Sequence, residues 1–315
     1  MSDFTLSDLM RRAAGRNTRS GPWRVVFLLL AIACVAVTIL APIFLAGANI
    51  RNLAAQAVPL LLSAVGQTLV ILSGGLDLSV GSLMSLTTTM AVLDQPLWVV
   101  TLLIFTVAIA IGVANGVGVA YLNVHPIIAT LSTMTILQGA ALLIRPAPGG
   151  IVPARILSAV NGNLAASAWI LVTILIFSLL IHRFRFGLHL FAIGGSATNA
   201  LMNGVPVRRN VVLTYVLCSL LAACGGIFLA GRINAGDATV GSGFGLDSIT
   251  AVAVGGTALT GGIGSLGGTV IGTALVTVIG NAMNLLNVSA FLQIVVKGLL
   301  LLAVVVPQRR KEIGL

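Results

Sequence analysis

The stretch QPLWVVTLLIFTVAIAIGVANGVGVAYLNVHPIIATLSTMTILQGAALLI, residues 95–144, runs for 50 positions without an Asp, Glu, Lys or Arg. A membrane-crossing helix needs about 20 predominantly apolar residues, so this stretch has room for two. A second charge-free run of 49 residues separates Asp247 from Lys297, and shorter ones follow Arg24, Arg51, Arg155 and Arg209. The chain is 58% apolar and 8% charged, with a mean hydropathy of +1.11. A soluble globular enzyme carries about 25% charged residues, so that class is excluded.

Punctuated by Gly, Pro and charge, the sequence predicts ten spans: 25–45, 54–73, 79–93, 97–118, 127–144, 166–182, 211–230, 247–259, 268–286 and 290–306. The expected fold is an all-α polytopic membrane protein of about ten transmembrane helices. Its single membrane domain, 25–306, lies between a basic N-terminal tail, 1–24, and a C-terminal tail, 307–315. An even number of spans puts both tails on one side. Twelve basic residues then fall on that side against four on the other, with Lys297 inside a span, which makes both termini cytoplasmic. The first apolar run lacks the short core and small-residue cleavage site of a signal peptide and reads as a retained span.

Spans 79–93 and 247–259 are short and flanked by glycine pairs. Irregular backbone at membrane depth survives only where protein or a wet path covers it, so both are expected to be broken or re-entrant helices. The segment around Gly74-Gly75-Leu76-Asp77-Leu78-Ser79-Val80-Gly81 is echoed weakly by Gly255-Gly256 through Gly264-Ser265-Leu266-Gly267. Such paired interruptions occur in internally repeated transporters, and chance similarity in a glycine-rich chain is the open alternative.

Several chemistries are absent. Gly262-Ile263-Gly264-Ser265-Leu266-Gly267 matches GxGxxG without a preceding strand or a following acid, so it is not a dinucleotide site. There is no GxxxxGK[ST], so any ATP must be bound by another chain, and this chain is no enzyme and holds no cofactor. Cys34, Cys218 and Cys224 show no CxxC or CxxH spacing, which leaves no metal or disulfide framework. The basic residues are scattered at loop edges, unlike a nucleic-acid face. Gly112 with Gly116, and Gly264 with Gly268 and Gly272, have the spacing that lets helices approach closely.

The polar residues within spans are mostly neutral. Gln67, Asp77, Ser79, Asn115, Thr130, Thr133, Asn281 and Asn284 are the candidates for lining a translocation path, with bonding from helix to helix as the alternative for each. Asp77 is the foremost of them, and its structural alternative is to accept backbone N–H bonds that hold a turn. Lys297 is expected to bond helix-end carbonyls or an acid such as Asp247. In the long loop 183–210, Ser196 can cap a helix that Gly204 ends, with Ala197, Ala200 and Leu201 on one face. Such a helix suits a partner's groove, and a loop resting on lipid headgroups is the alternative.

The run Gly66-Gln67-Thr68-Leu69-Val70-Ile71-Leu72-Ser73-Gly74-Gly75-Leu76-Asp77-Leu78-Ser79-Val80-Gly81-Ser82 resembles the signature of ribose-type ABC sugar permeases. So do Pro126–Leu131, Ala192–Gly195 and Leu246–Thr257, in that order. The resemblance implies a bacterial inner-membrane subunit with an architecture like the vitamin B12 importer. Its implied partners are a second permease half, identical or paralogous, a cytoplasmic ATPase holding ATP and Mg, and a periplasmic sugar-binding protein, with membrane lipid around them. It also implies that Ser196, Ala197, Thr198, Asn199, Ala200, Leu201, Met202, Asn203 and Gly204 couple the permease to the ATPase. The family usually has Met where Gln67 stands, Asn at Ser196, and an Ala-Arg pair near Asn199 and Ala200. The expected cargo is a monosaccharide such as ribose, xylose, galactose or arabinose. An amino-acid or nucleoside permease, an ion-coupled carrier and a membrane scaffold are the competing readings.

Overall fold

The computed structural model describes residues 23–162 and 164–306, and the side chains from Val26 onward. The two charged tails, apart from the backbone of 23–24 in the first, lie outside the described residues. Thirteen α-helices are described: α1 Trp23–Leu40, α2 Gly47–Leu72, α3 Val80–Ala91, α4 Leu97–Ala120, α5 Pro126–Ile144, α6 Ala154–Asn161, α7 Ala165–Arg183, α8 Arg185–Gly195, α9 Ala197–Met202, α10 Val207–Ile233, α11 Phe244–Val254, α12 Leu266–Leu285 and α13 Ala290–Val305. No strand occurs among the described residues, where one isolated bridge joins Gly149 and Gly236.

Each of the ten apolar stretches holds one α-helix, the first followed by a 3-10 helix at Pro42–Leu45, and α6, α8 and α9 lie between them. Six helices, α2, α4, α5, α7, α10 and α12, are long and apolar enough to cross a membrane. The chain is therefore a multi-pass membrane protein. Helices α2 and α10 form its centre, carrying Leu69, Ile71, Tyr215 and Phe228 without exposure. Helices α4, α5 and α7 turn Leu102, Ile136 and Leu175 outward, the arrangement expected of a bundle whose solvent is hydrocarbon. Glycine sets the closest crossing. A Cβ on Gly112 or Gly116 would come within 2.5 or 2.7 Å of the Cα of Val216 or Val212, so α4 and α10 touch backbone to backbone. Gly268 and Gly272 do the same against Gly255 and Ala251, whereas Gly264 lies in the turn before α12 and meets the Thr257 side chain.

The two short helices are interrupted as expected. At about 1.5 Å per residue, the twelve residues of α3 span about 18 Å, and all twelve are buried. An irregular segment, 73–79, leads into α3, and a longer one, 234–243, leads into α11. The two approaches meet at Gly81 and Gly241. A Cβ on either would strike the other's carbonyl oxygen, and Gly241 N–H donates to Ser85 Oγ at 2.9 Å.

The echo between the halves lies at different positions from those expected. Asp77-Leu78-Ser79-Val80-Gly81-Ser82 corresponds to Asp237-Ala238-Thr239-Val240-Gly241-Ser242. Asp77 Oδ1 accepts from Ser79 N and Oγ at 2.9 and 2.6 Å, and Asp237 Oδ1 accepts from Thr239 N and Oγ1 at 2.7 and 2.8 Å. The same turn thus precedes each interrupted helix, and the glycine four residues after each Asp lies at the crossing. The Gly255–Gly267 region instead forms the connection from α11 to α12.

Candidate functional site

Irregular backbone inside a bundle must find partners for its N–H and C=O groups. Around 73–79 most come from residues singled out in the sequence, and Tyr215 is one that the sequence reading missed. The Gln67 amide, oriented to satisfy both groups, donates to Asp77 O at 3.0 Å and accepts from Asp77 N at 3.1 Å. Tyr215 Oη donates to Leu76 O at 3.3 Å. Asn115 Nδ2 donates to Ser79 Oγ at 3.0 Å, and Thr133 Oγ1 donates to Asn115 Oδ1 at 2.9 Å. Thr130 stands at the same place, bonded to Pro126 O at 2.9 Å. Four elements, α2, α4, α5 and α10, are tied to one turn.

Gln67, Asp77, Ser79, Asn115 and Thr130 are at most 1% exposed, and Thr133 is partly buried. In this conformation these candidates bond to the irregular segment and to one another across helices, the arrangement of the helix-to-helix alternative. Asn281 is likewise sealed, in a reciprocal amide pair with Asn49 at 3.0 and 3.1 Å. Asn284 is exposed and accepts from Gln293 Nε2 at 2.9 Å. The second segment is held in the same manner by residues the sequence did not single out for it. Thr88 bonds both Asp237 N and O, and Gln138 donates to Ala238 O at 2.8 Å. The repeated Asp-x-Ser/Thr-Val-Gly-Ser was the available signal.

These contacts separate two substitutions at Asp77. Asp77→Asn keeps Oδ1 as acceptor and replaces Oδ2, which has no hydrogen-bond partner among the described residues. Asp77→Ala leaves the Ser79 N–H buried and unsatisfied, a loss of about 2 kcal/mol. In denaturation of the purified protein, Asn is expected to stay within about 1 kcal/mol of wild type and Ala to fall below it.

Lys297 Nζ donates to Asp247 Oδ2 at 2.6 Å, the pairing expected from the sequence. Side-chain exposures of 33% for Lys297 and 15% for Asp247 place the pair between surface and interior. Breaking a sealed pair destabilises by about 3–5 kcal/mol; here Lys297→Met is expected to lose about 2 kcal/mol. The yield of assembled protein should fall more than solute preference changes. Normal assembly with altered preference would reverse that assignment.

The loop 183–210 is two helices, α8 and α9. Ser196 Oγ accepts from Asn199 N at 3.3 Å and caps α9, and Gly204 at φ +78° ends the turn after it. The expected shared face is corrected in one respect. Ala200 is buried against the chain's own body, so the outward apolar residues are Leu201, 64% exposed, and Met202, 81% exposed. At the end of α8, Gly194 abuts the Leu72 carbonyl and the Gly261-Gly262 turn, and Gly262 N–H donates to Leu72 O at 3.1 Å. Both turn glycines have positive φ, +88° and +73°, which side chains rarely adopt. The exposed helix thus rests, through α8, on the end of α2 just before the first interruption.

A family described as "Branched-chain amino acid transport system / permease component" matches residues 49–305. The chain belongs to this permease family. Among its relatives, the ribose import permease protein RbsC of Escherichia coli K12 is 34% identical over 301 residues, covering 91% of the permease and 93% of the relative. RbsC of Bacillus subtilis 168 is 36% identical over 313 residues, 95% of each chain. The L-arabinose transport system permease protein AraH of E. coli K12 is 36% identical over 297 residues, 91% of the permease and 90% of the relative. No solved structure matches.

Proposed function

We propose that this permease is the membrane subunit of an ATP-driven importer that carries a monosaccharide across the bacterial inner membrane. The observation that carries the reading is its 34–36% identity, along about nine-tenths of its length, to permeases named for ribose and arabinose. In this reading the ten apolar stretches cross ten times in a fold like the vitamin B12 importer, with both termini cytoplasmic. A second permease half, identical or paralogous, completes the path. A periplasmic binding protein delivers the sugar, and a cytoplasmic ATPase holds ATP and Mg.

Residues 196–204 dock on that ATPase, led by Leu201 and Met202. A push on α9 passes through α8 to the contact of Gly194 with Leu72 and Gly262, and so to the ends of α2 and α11. Gln67, Asp77, Ser79, Asn115, Thr130 and Thr133 keep the interrupted segment a single rigid body during that movement. Asn281 ties α12 to α2, and the solute route runs beside Asn284. ATP-driven switching changes which side the route faces, and a weakly binding lining avoids trapping the sugar, because a ligand shifts such an equilibrium only by its differential affinity.

The test is ATPase activity of the complex purified through this chain, with binding proteins loaded in turn with ribose, xylose, galactose or arabinose. Stimulation by one loaded protein is the expected result and names the cargo. Absence of any co-purifying ATPase from a host carrying the native neighbours would overturn the reading. The family description favours one rival cargo, a branched-chain amino acid; a leucine-loaded binding protein in the same assay decides between them.

A further inference from the structure

A cavity of about 160 Å³ opens between α2, α11, α12 and α13. At about 30 Å³ per water it has room for about five. Gln56, Asp247, Thr277, Asn284, Gln293 and Lys297 line it. In a chain with only 8% charged residues, this gathering of polar groups within the spans is unusual, since each such group is costly in lipid unless paired or functional.

Their internal bonds use only part of their capacity. Lys297 engages Asp247 Oδ2, leaving Oδ1 as an acceptor without a partner among the described residues. Gln293 gives Nε2 to Asn284 Oδ1 and Val288 O, leaving its own Oε1 and the Asn284 Nδ2. Gln56 makes no side-chain hydrogen bond among the described residues, so it offers both a donor and an acceptor. Donors and acceptors of this kind, facing one small space, match hydroxyl groups, each of which donates and accepts. The Asp247 charge is already met by Lys297, and Arg232 at the cavity edge donates to the neutral Asn52 Oδ1 at 3.0 Å and keeps its own positive charge. No carboxylate is left to attract a cation, and the free groups inside are neutral amides and one paired carboxylate, which suit hydroxyls.

We propose that this cavity is a transient binding station for a neutral polyhydroxylated solute of about pentose size. Asp247 Oδ1 and the Gln56, Asn284 and Gln293 amides bond its hydroxyls, and Lys297 positions Asp247. The proposal rests on the importer reading and locates a stop on its route. About four hydrogen bonds of ordinary net strength correspond to binding on the order of millimolar, weak enough for release.

The test uses Gly280, which lines the cavity and where a Cβ would meet open space. Gly280→Cys permease, assembled with its partner subunits in nanodiscs, is reacted with a cationic methanethiosulfonate, and labelling at position 280 is followed by mass spectrometry. Ribose or arabinose at about ten times the dissociation constant should slow labelling about tenfold, while glycine betaine should not. Equal rates with and without pentose, or equal slowing by betaine, would overturn the station. A second readout is the double variant Gln56→Leu, Asn284→Leu, expected to lower pentose uptake about tenfold while stimulation of ATPase by the loaded binding protein persists. Unchanged uptake also counts against the station. If the wild-type complex itself moves no monosaccharide, the importer reading fails and the station with it; intact wild-type uptake without protection refutes the station alone.

Discussion

Gly241→Ala is expected to destabilise the protein by about 3 kcal/mol or more, although it adds one methyl group. The new Cβ would land on the Gly81 carbonyl oxygen, with Ser85 N and Oγ close behind. Overpacking is tolerated when a flexible side chain can turn away, but here the obstacles are mainly main chain at the crossing of two interrupted helices. Separating them would also lengthen the 2.9 Å bond from Gly241 N to Ser85 Oγ. Gly81→Ala is expected to behave alike, because its Cβ would come within 2.5 Å of the Gly241 oxygen. The control is Gly139→Ala in α5, where a Cβ meets nothing within 4 Å; alanine there should be neutral or stabilising by up to about 1 kcal/mol. Fluorescence-detected gel filtration after graded heating would rank the three. A Gly241→Ala protein as heat-resistant as Gly139→Ala would refute the crossing.

The largest functional loss is expected from the paired change Leu201→Asp and Met202→Asp. Both side chains point away from the body of the protein, at 64% and 81% exposure, so the permease should fold and reach normal levels. Burying two carboxylates in an apolar groove of the ATPase would weaken docking by several kcal/mol, at least about 100-fold in affinity. Co-purification of the ATPase and binding-protein-stimulated hydrolysis should both disappear. Ala200→Asp is the contrasting change. Its 4% exposure makes it a folding defect, visible as reduced permease in the membrane before any partner is added. Retained ATPase binding by the 201/202 variant would remove α9 from the docking surface.

The course of the chain was readable where a single local force decides. Charge-free apolar length favours helix, so each of the ten stretches yielded one, six of them long enough to cross a membrane. Ser196 and Gly204 act within one turn, so the start of α9 and the turn that ends it were placed correctly. Gly112 and Gly116 need only a close neighbour, and Lys297 needs an acid, which Asp247 supplies. What the sequence concealed depends on partners far along the chain. Asn281 reads as a path residue until Asn49 is found against it, 232 positions away. The Gly-rich stretch 234–243 has the composition of an outer loop, yet Thr88, Ser85 and Gln138 satisfy its backbone inside the bundle. The repeat 77–82 and 237–242 is six residues long with two of them changed, too short to stand out among 36 glycines.

The buried crossing also dictates how the protein must be made. Thr88 on α3 finds its partner Asp237 149 residues later in the chain. At a synthesis rate of about 5–20 residues per second, roughly 7–30 s separate the two. Throughout that interval α3 is too short to cross the bilayer alone and lacks the segment that will cover it. Insertion and folding are therefore distinct stages of biogenesis. The nascent chain must wait with α3 sheltered by the translocon or by α2, α4 and α5 until the second irregular segment arrives. A transcript ending before residue 234 encodes a chain in which Thr88 and Ser85 never meet Asp237 and Gly241, however hydrophobic its remaining helices.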